Sequence, residues 1–160
     1  MFSNKYAIVY LCSMNGISFV YQTPFRIEGA VQTKKWIGVC LSAMGYAAKQ
    51  LSFAFMDDKA LLRINKDFLK HDYFTDVITF DYSVGKELSC DIAISVDRVQ
   101  DNAQEQKIDF AQELRRVMIH GVLHCCGYGD KSPQQIKEMR EKENECLAMF
   151  HVEPKTQKHV

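Results

Sequence analysis

The run His120-Gly121-Val122-Leu123-His124-Cys125-Cys126-Gly127-Tyr128-Gly129-Asp130 decides how this chain is read. Two histidines four apart on a helix stand one above the other on the same face. Gly127 suits the left-handed conformation that ends a helix and turns the chain. Asp130 lies where the reversed chain can bring a carboxylate back toward both imidazoles. His120, His124 and Asp130 thus form a His-x3-His-x5-Asp set of nitrogen and oxygen ligands, with no fourth protein ligand in sequence. Catalytic zinc is usually held by three protein ligands with one position open, whereas structural zinc is usually closed by four. The competing reading is a pair of histidines beside an ordinary helix cap. Gly127 and Asp130 together favour the metal site, and one zinc ion per chain is the expected cofactor.

Working outward, apolar residues at helical spacing extend the histidine segment back to Asp109, which predicts a helix from Asp109 through Cys126. On that helix Glu113 shares the histidine face, either as an acceptor for an imidazole N–H or as an exposed charge paired with Arg115 or Arg116. Cys125 and Cys126 point away from the histidines and read as small core residues. Beyond the reversal, Ser132-Pro133-Gln134-Gln135 supplies an N-cap, a first-turn proline and a capping-box glutamine for a last helix from Pro133 to Phe150.

Toward the N-terminus, Ile17–Tyr21 reads as a strand and Glu28–Ala48 as a long amphipathic helix. Leu51, Phe53 and Phe55 alternate with smaller residues as a second strand. Asp57 caps a helix through about Phe68. Thr75–Tyr82 is a third strand, Gly85 marks a turn, and Leu88–Ser95 is a fourth, followed by a short helix from Asp97. The predicted fold is α+β: a single domain with a small mixed β-sheet of about four strands packed with about five helices. Its bounds are residues 14–152, with 1–13 as a loose extension and 153–160 as a frayed tail. An extra strand is the competing reading of the extension.

The chain of 160 residues carries 20 basic and 20 acidic side chains. It therefore has no global field to draw it to nucleic acid or an anionic membrane, and a polyanion would have to meet a local patch. Lys59, Arg63, Lys66 and Lys70 supply one, a basic stripe at helical steps that is either a phosphate track or a solvated face. Tyr73 and Phe74 beside it either stack on unpaired bases or close the core. No apolar run reaches membrane-spanning length. The six cysteines show no C-x-x-C spacing and read as reduced thiols of a cytoplasmic protein. His71, His151 and His159 have no partner at ligand spacing.

The segment from His120 to Asp130 resembles the H-G-x-L-H-x-x-G-Y-D-H signature of the YbeY family. Asn65 through Phe80, with Thr75-Asp76-Val77-Ile78-Thr79-Phe80, is similar to that family's T-D-V-[LI]-[ST]-F strand, and Asp91-Ile92-Ala93-Ile94-Ser95 to its G-D-I-x-I-S strand. The resemblance implies a metal-dependent, single-strand-specific endoribonuclease that matures the 3′ end of small-subunit (16S) ribosomal RNA and serves ribosome quality control. Its expected partners are single-stranded RNA, ribosomal RNA or the small ribosomal subunit, without DNA or membrane. The chain departs from the pattern at Asp130, where the family has histidine, at Cys90, where it has glycine, at Leu69, where many members have arginine, and at the Tyr128-Gly129 step. Asp76 is the best candidate for a general base, or else a strand-start aspartate bonded to backbone. Two rival functions remain open. One is a metallopeptidase, although Gly121 stands where its glutamate would be. The other is a non-catalytic ribosome-assembly factor with a structural metal.

Overall fold

The computed structural model describes residues 12–150. Residues 1–11 of the expected extension, the 153–160 tail, His151 and His159 lie outside that range. Ten elements follow in order: β1 (Cys12–Met14), β2 (Ile17–Tyr21), α1 (Ala30–Ala43), β3 (Ala47–Met56), α2 (Asp58–Leu69), β4 (Val77–Asp81), β5 (Glu87–Ser95), α3 (Val96–Gln106), α4 (Phe110–Cys125) and α5 (Pro133–Ala148).

The strands form one mixed sheet in the order β1-β2-β3-β5-β4. β2, β3 and β5 run parallel, while β1 and β4 are antiparallel edges. This is the α+β arrangement expected, with the four anticipated strands, five helices and a three-residue edge added at β1. Cys12 and Ser13 belong to that edge, so the strand begins inside the segment read as a loose extension.

The helix expected over 28–48 is shorter. The apolar pattern runs on through Met44, Tyr46 and Ala48, but Gly45 adopts φ +80° and turns the chain. Ala47 then pairs with Glu87 as the start of β3. Periodicity cannot see such a stop, because residues on both sides of the turn are buried or half-buried for different reasons.

Two caps were legible in the sequence. Asp57 accepts the Ala60 N–H at 2.8 Å, and Ser132 with Gln135 forms a reciprocal capping box.

The central strands have apolar side chains on both faces, as parallel strands covered by helices require. Leu51, Phe53, Phe55, Ile92 and Ile94 are fully buried on one face, and Ala54, Met56 and Ala93 on the other. Phe19 meets Phe53 and Phe55 edge-on, with ring centroids 5.7 and 5.6 Å apart. Burying each such ring stabilises the fold by about 1.5–3 kcal/mol relative to leaving it exposed.

α4 lies against β4 and β5 through Val117, Met118, Ile119, Val122 and Leu123, all buried. A Cβ at Gly121 would come 2.9 Å from Ile92 Cγ2 and 3.3 Å from Thr79 Oγ1. Position 121 must therefore stay bare for α4 to seat on the sheet. That close approach sets how deeply the helix, and the histidines on its flank, seat on the sheet. It also leaves no room for the glutamate that a peptidase helix would carry there.

Candidate metal centre

His120 and His124 project from the groove face of α4. The helix ends as expected: Gly127 takes φ +93°, and the Tyr128 N–H bonds back to Leu123 O at 3.0 Å. The reversed chain brings Asp130 to the imidazoles. His120 Nε2 and His124 Nε2 are 3.0 Å apart, and Asp130 Oδ2 stands 3.3 Å from the first and 3.2 Å from the second.

The other ring nitrogens fix the tautomers. His124 Nδ1 lies 3.0 Å from the Tyr128 carbonyl. A carbonyl only accepts, so Nδ1 carries the proton. His120 Nδ1 lies 2.8 Å from Glu143 Oε2, again a donor facing an acceptor. In the neutral rings both Nε2 atoms then present lone pairs to each other and to a carboxylate oxygen. Three converging lone pairs call for a cation. Tetrahedral zinc with bonds of about 2.0–2.1 Å spaces its nitrogen and oxygen ligands roughly 3.3–3.4 Å apart. The separations here match that spacing to within a few tenths of an ångström, so the residues fit the ion.

Glu143, from α5, is the residue sequence reasoning missed. Its carboxylate is 4 % exposed and receives Arg116 Nη1 at 3.0 Å, with Arg140 Nη1 at 3.5 Å. Burial pushes its pKa up, but the hydrogen bonds from His120 and Arg116 outweigh that and hold it below the ordinary carboxylate value. Burial likewise opposes charge on His120. The Glu143 hydrogen bond and the nearby Glu143, Asp130 and Asp76 carboxylates prevail and raise its pKa. A carboxylate behind a ligating imidazole orients the ring and makes it a better donor.

Glu113 pairs with Arg116, one of the two arginines expected, but it is neither an imidazole's acceptor nor exposed. It is 3 % exposed, with Oε2 4.0 Å from Arg116 Nε, and burial raises its pKa. Cys125 and Cys126 are buried away from the histidine face, as their helical direction implied. A signal for Glu143 did exist: Met139, Glu143 and Cys146 form one buried stripe on α5, and a lone carboxylate in such a stripe is seldom buried without a partner.

The three donor atoms lie where two hollows meet. The larger, about 570 Å³, runs past Leu69, Tyr73, Thr79 and Lys131 to His124. The smaller, about 420 Å³, is lined by Asn102, Glu113, Arg116 and Arg140. His120, Asp76 and Asp130 border both. Asp76 Oδ2 accepts from Asn102 Nδ2 at 3.1 Å, so its carboxylate is steered by a side chain rather than by the strand backbone.

Lys59, Arg63, Lys66 and Lys70 are exposed on and just beyond α2, with Lys66 paired to Asp72 at 3.2 Å. Tyr73 and Phe74 are 56 % and 49 % exposed, which rules out the reading that they close the core. Asn65, buried, donates to Tyr73 O at 2.9 Å and fixes this loop at the groove mouth.

A floor of two imidazoles and a carboxylate, open to a groove, is a candidate hydrolytic metal centre on an α+β frame. Residues 25–151 match the family model described as "Endoribonuclease YbeY". The chain is 44 % identical over 137 residues to the endoribonuclease YbeY of Flavobacterium johnsoniae, covering 86 % of this chain and 99 % of that one. To that of Flavobacterium psychrophilum it is 46 % identical over 136 residues, covering 85 % and 97 %. A solution structure of a Thermotoga maritima protein superposes with a TM-score of 0.58 at 23 % identity, covering 84 % of this chain and 88 % of that one. That likeness concerns the fold alone. The chain belongs to the YbeY endoribonuclease family.

Proposed function

We propose that His120, His124 and Asp130 hold one zinc ion and that the chain uses it to cleave single-stranded RNA. The reading extends to maturation of the small-subunit ribosomal RNA 3′ end and to ribosome quality control in the cytoplasm. The observation that carries it is the convergence of two Nε2 lone pairs and a carboxylate oxygen within 3.0–3.3 Å of one another at the floor of an open groove. Family membership supplies the substrate class, and Asp130 takes the place of the third histidine in this branch.

Bound zinc would supply an acidified water and neutralise charge on a phosphate oxygen. The protein's own groups do the rest. Glu143 and the Tyr128 carbonyl hold the imidazoles in the tautomers that present Nε2. Asp76, steered by Asn102, borders the same hollow as His120 and Asp130 and would serve as the base for the attacking group. Lys131 in the groove, with Lys59, Arg63 and Lys70 along α2, attracts the phosphodiester backbone. Tyr73 offers an exposed ring for an unpaired base.

The test is incubation of zinc-loaded protein with single-stranded and duplex RNA of the same sequence, with and without a chelator. Cleavage of the single strand alone, lost with chelator and restored by zinc, is expected. Cleavage that persists in chelator, or loss of rRNA maturation on removing the basic stripe but not on removing the metal, would overturn it.

A further inference from the structure

We propose that Asp81, Cys90 and Cys125 form a second cation site, suited to a thiophilic divalent ion such as zinc, which ties the β4–β5 hairpin to the last turn of α4. The site lies apart from the His120, His124 and Asp130 centre and does not depend on the function proposed for it.

Asp81 and Cys90 are cross-strand partners at the turn end of the hairpin, and Cys125 reaches them from α4. One donor atom from each lies within 4.8 Å of the others. Cys90 Sγ is 3.5 Å from Asp81 Oδ1. A tetrahedral zinc with a sulfur at about 2.3 Å and an oxygen at about 2.0–2.2 Å sets those two atoms roughly 3.5 Å apart. Ser83 Oγ stands 3.4 Å from Cys90 Sγ, close to where a fourth, oxygen donor would be needed.

The surroundings are built in the manner of a ligand shell. The Ser83 N–H donates to Asp81 Oδ1 at 2.9 Å, and the Ser89 N–H donates to Ser83 Oγ at 2.9 Å. Both carboxylate and hydroxyl are thereby oriented. Cys90 and Cys125 are 2 % and 7 % exposed, whereas Asp81 is exposed and lines the groove, which gives an ion a path inward. Two sulfurs and one carboxylate select a softer ion than two imidazoles and a carboxylate do. Binding exchanges thiol protons for the cation, with the protons passing to solvent and no change of oxidation state.

Occupancy would brace the turn that carries His124 and leads to Asp130.

Cadmium is the probe, because a thiolate bound to it gives an ultraviolet charge-transfer band that nitrogen and oxygen ligands do not. Reduced, metal-free full-length protein titrated with cadmium should develop that band and saturate it at one equivalent of thiolate-bound ion. Cys126→Ser and Cys40→Ser should keep the band, and Cys90→Ser should lose it. Asp81→Ala, at an exposed position that does not threaten folding, should weaken the apparent affinity by at least about tenfold. Absence of the band in the native protein would overturn the proposal, as would its survival in Cys90→Ser or an unchanged affinity in Asp81→Ala. So would a Cys90–Cys125 disulfide found by peptide mapping of the isolated, unreduced chain.

Discussion

The two imidazoles and the carboxylate reach the same point by different means. His120 and His124 ride on a sixteen-residue helix clamped to the sheet, and each has its far ring nitrogen tied, one to Glu143 and one to the Tyr128 carbonyl. Asp130 stands on a short reversal between α4 and α5, its side chain 40 % exposed. Its hydrogen-bond and ion-pair contacts are to the two imidazoles. The helix-borne pair is tied by further partners, while the loop-borne carboxylate is more exposed and contacts the two imidazoles. On the proposed reading, the helix-borne pair would set where an ion sits, and the loop-borne carboxylate how tightly it is held.

That contrast is open to attack, and the largest effect should come from the rigid half. His120→Ala and His124→Ala should each abolish stoichiometric zinc, read as bound metal per chain after dialysis. Full occupancy in both would remove the assigned ligand set. Next comes Glu143→Gln, which keeps an acceptor for His120 Nδ1 but removes the charge behind the ring. A loss of about 10–100-fold in zinc affinity is expected, measured by competition with a chelating dye. An unchanged constant would mean that Glu143 serves only the Arg116 ion pair.

The adaptable half should respond in a graded way. Asp130→Ala should weaken zinc binding, by about tenfold or more. Asp130→His should preserve or tighten it. Equal affinity across the three proteins would show that the carboxylate is not a ligand.

The pH dependence separates the partners of the buried pair. The folded chain raises the His120 pKa, so the stability that this histidine contributes without metal is complete below the ordinary imidazole value of 6.5. It is lost as pH rises through the raised folded value. Glu143 behaves in the opposite sense, contributing above its ordinary 4.5 and losing that contribution as pH falls through its lowered folded value. Metal-free protein should therefore be most stable in the weakly acidic range, and His120→Ala should flatten the alkaline decline of its melting temperature. Zinc binding needs a deprotonated Nε2, so its affinity should fall as pH drops through that same raised value.

The smallest effect sharpens the contrast from the side of the helix that seats on the sheet. Gly121→Ala drives a methyl into Ile92 and should cost about 1–3 kcal/mol in denaturant unfolding. The shift it imposes on α4 should also reduce zinc affinity. A destabilised variant with unchanged affinity would show that the seating of the helix does not control the centre.

Much of this was legible before any coordinates, and for local reasons. The His-x3-His spacing, the Gly127 reversal, the Asp57 and Ser132 caps and the alternation of Leu51, Phe53 and Phe55 are written within a few residues of where they act. The end of α1 was misread because apolar residues continue past Gly45 into β3, and a periodic pattern does not say which layer each residue joins. The Glu113 reading found its Arg116 partner but missed its burial, for a related reason. Sharing a helix face with His120 left open which neighbour covers that face, and α5 covers it with Glu143.

The sequence by itself determined that a helix would end in a turn presenting two imidazoles and a carboxylate, because helical pitch and glycine's freedom at positive φ are properties of the local chain. Only the tertiary structure decided that Glu143 backs His120, that Ile92 forbids a side chain at position 121, and that Asp81, Cys90 and Cys125 meet. Those contacts join elements far apart in the chain. They follow from how α4 and α5 pack on one another and on the sheet, which no short window of residues encodes.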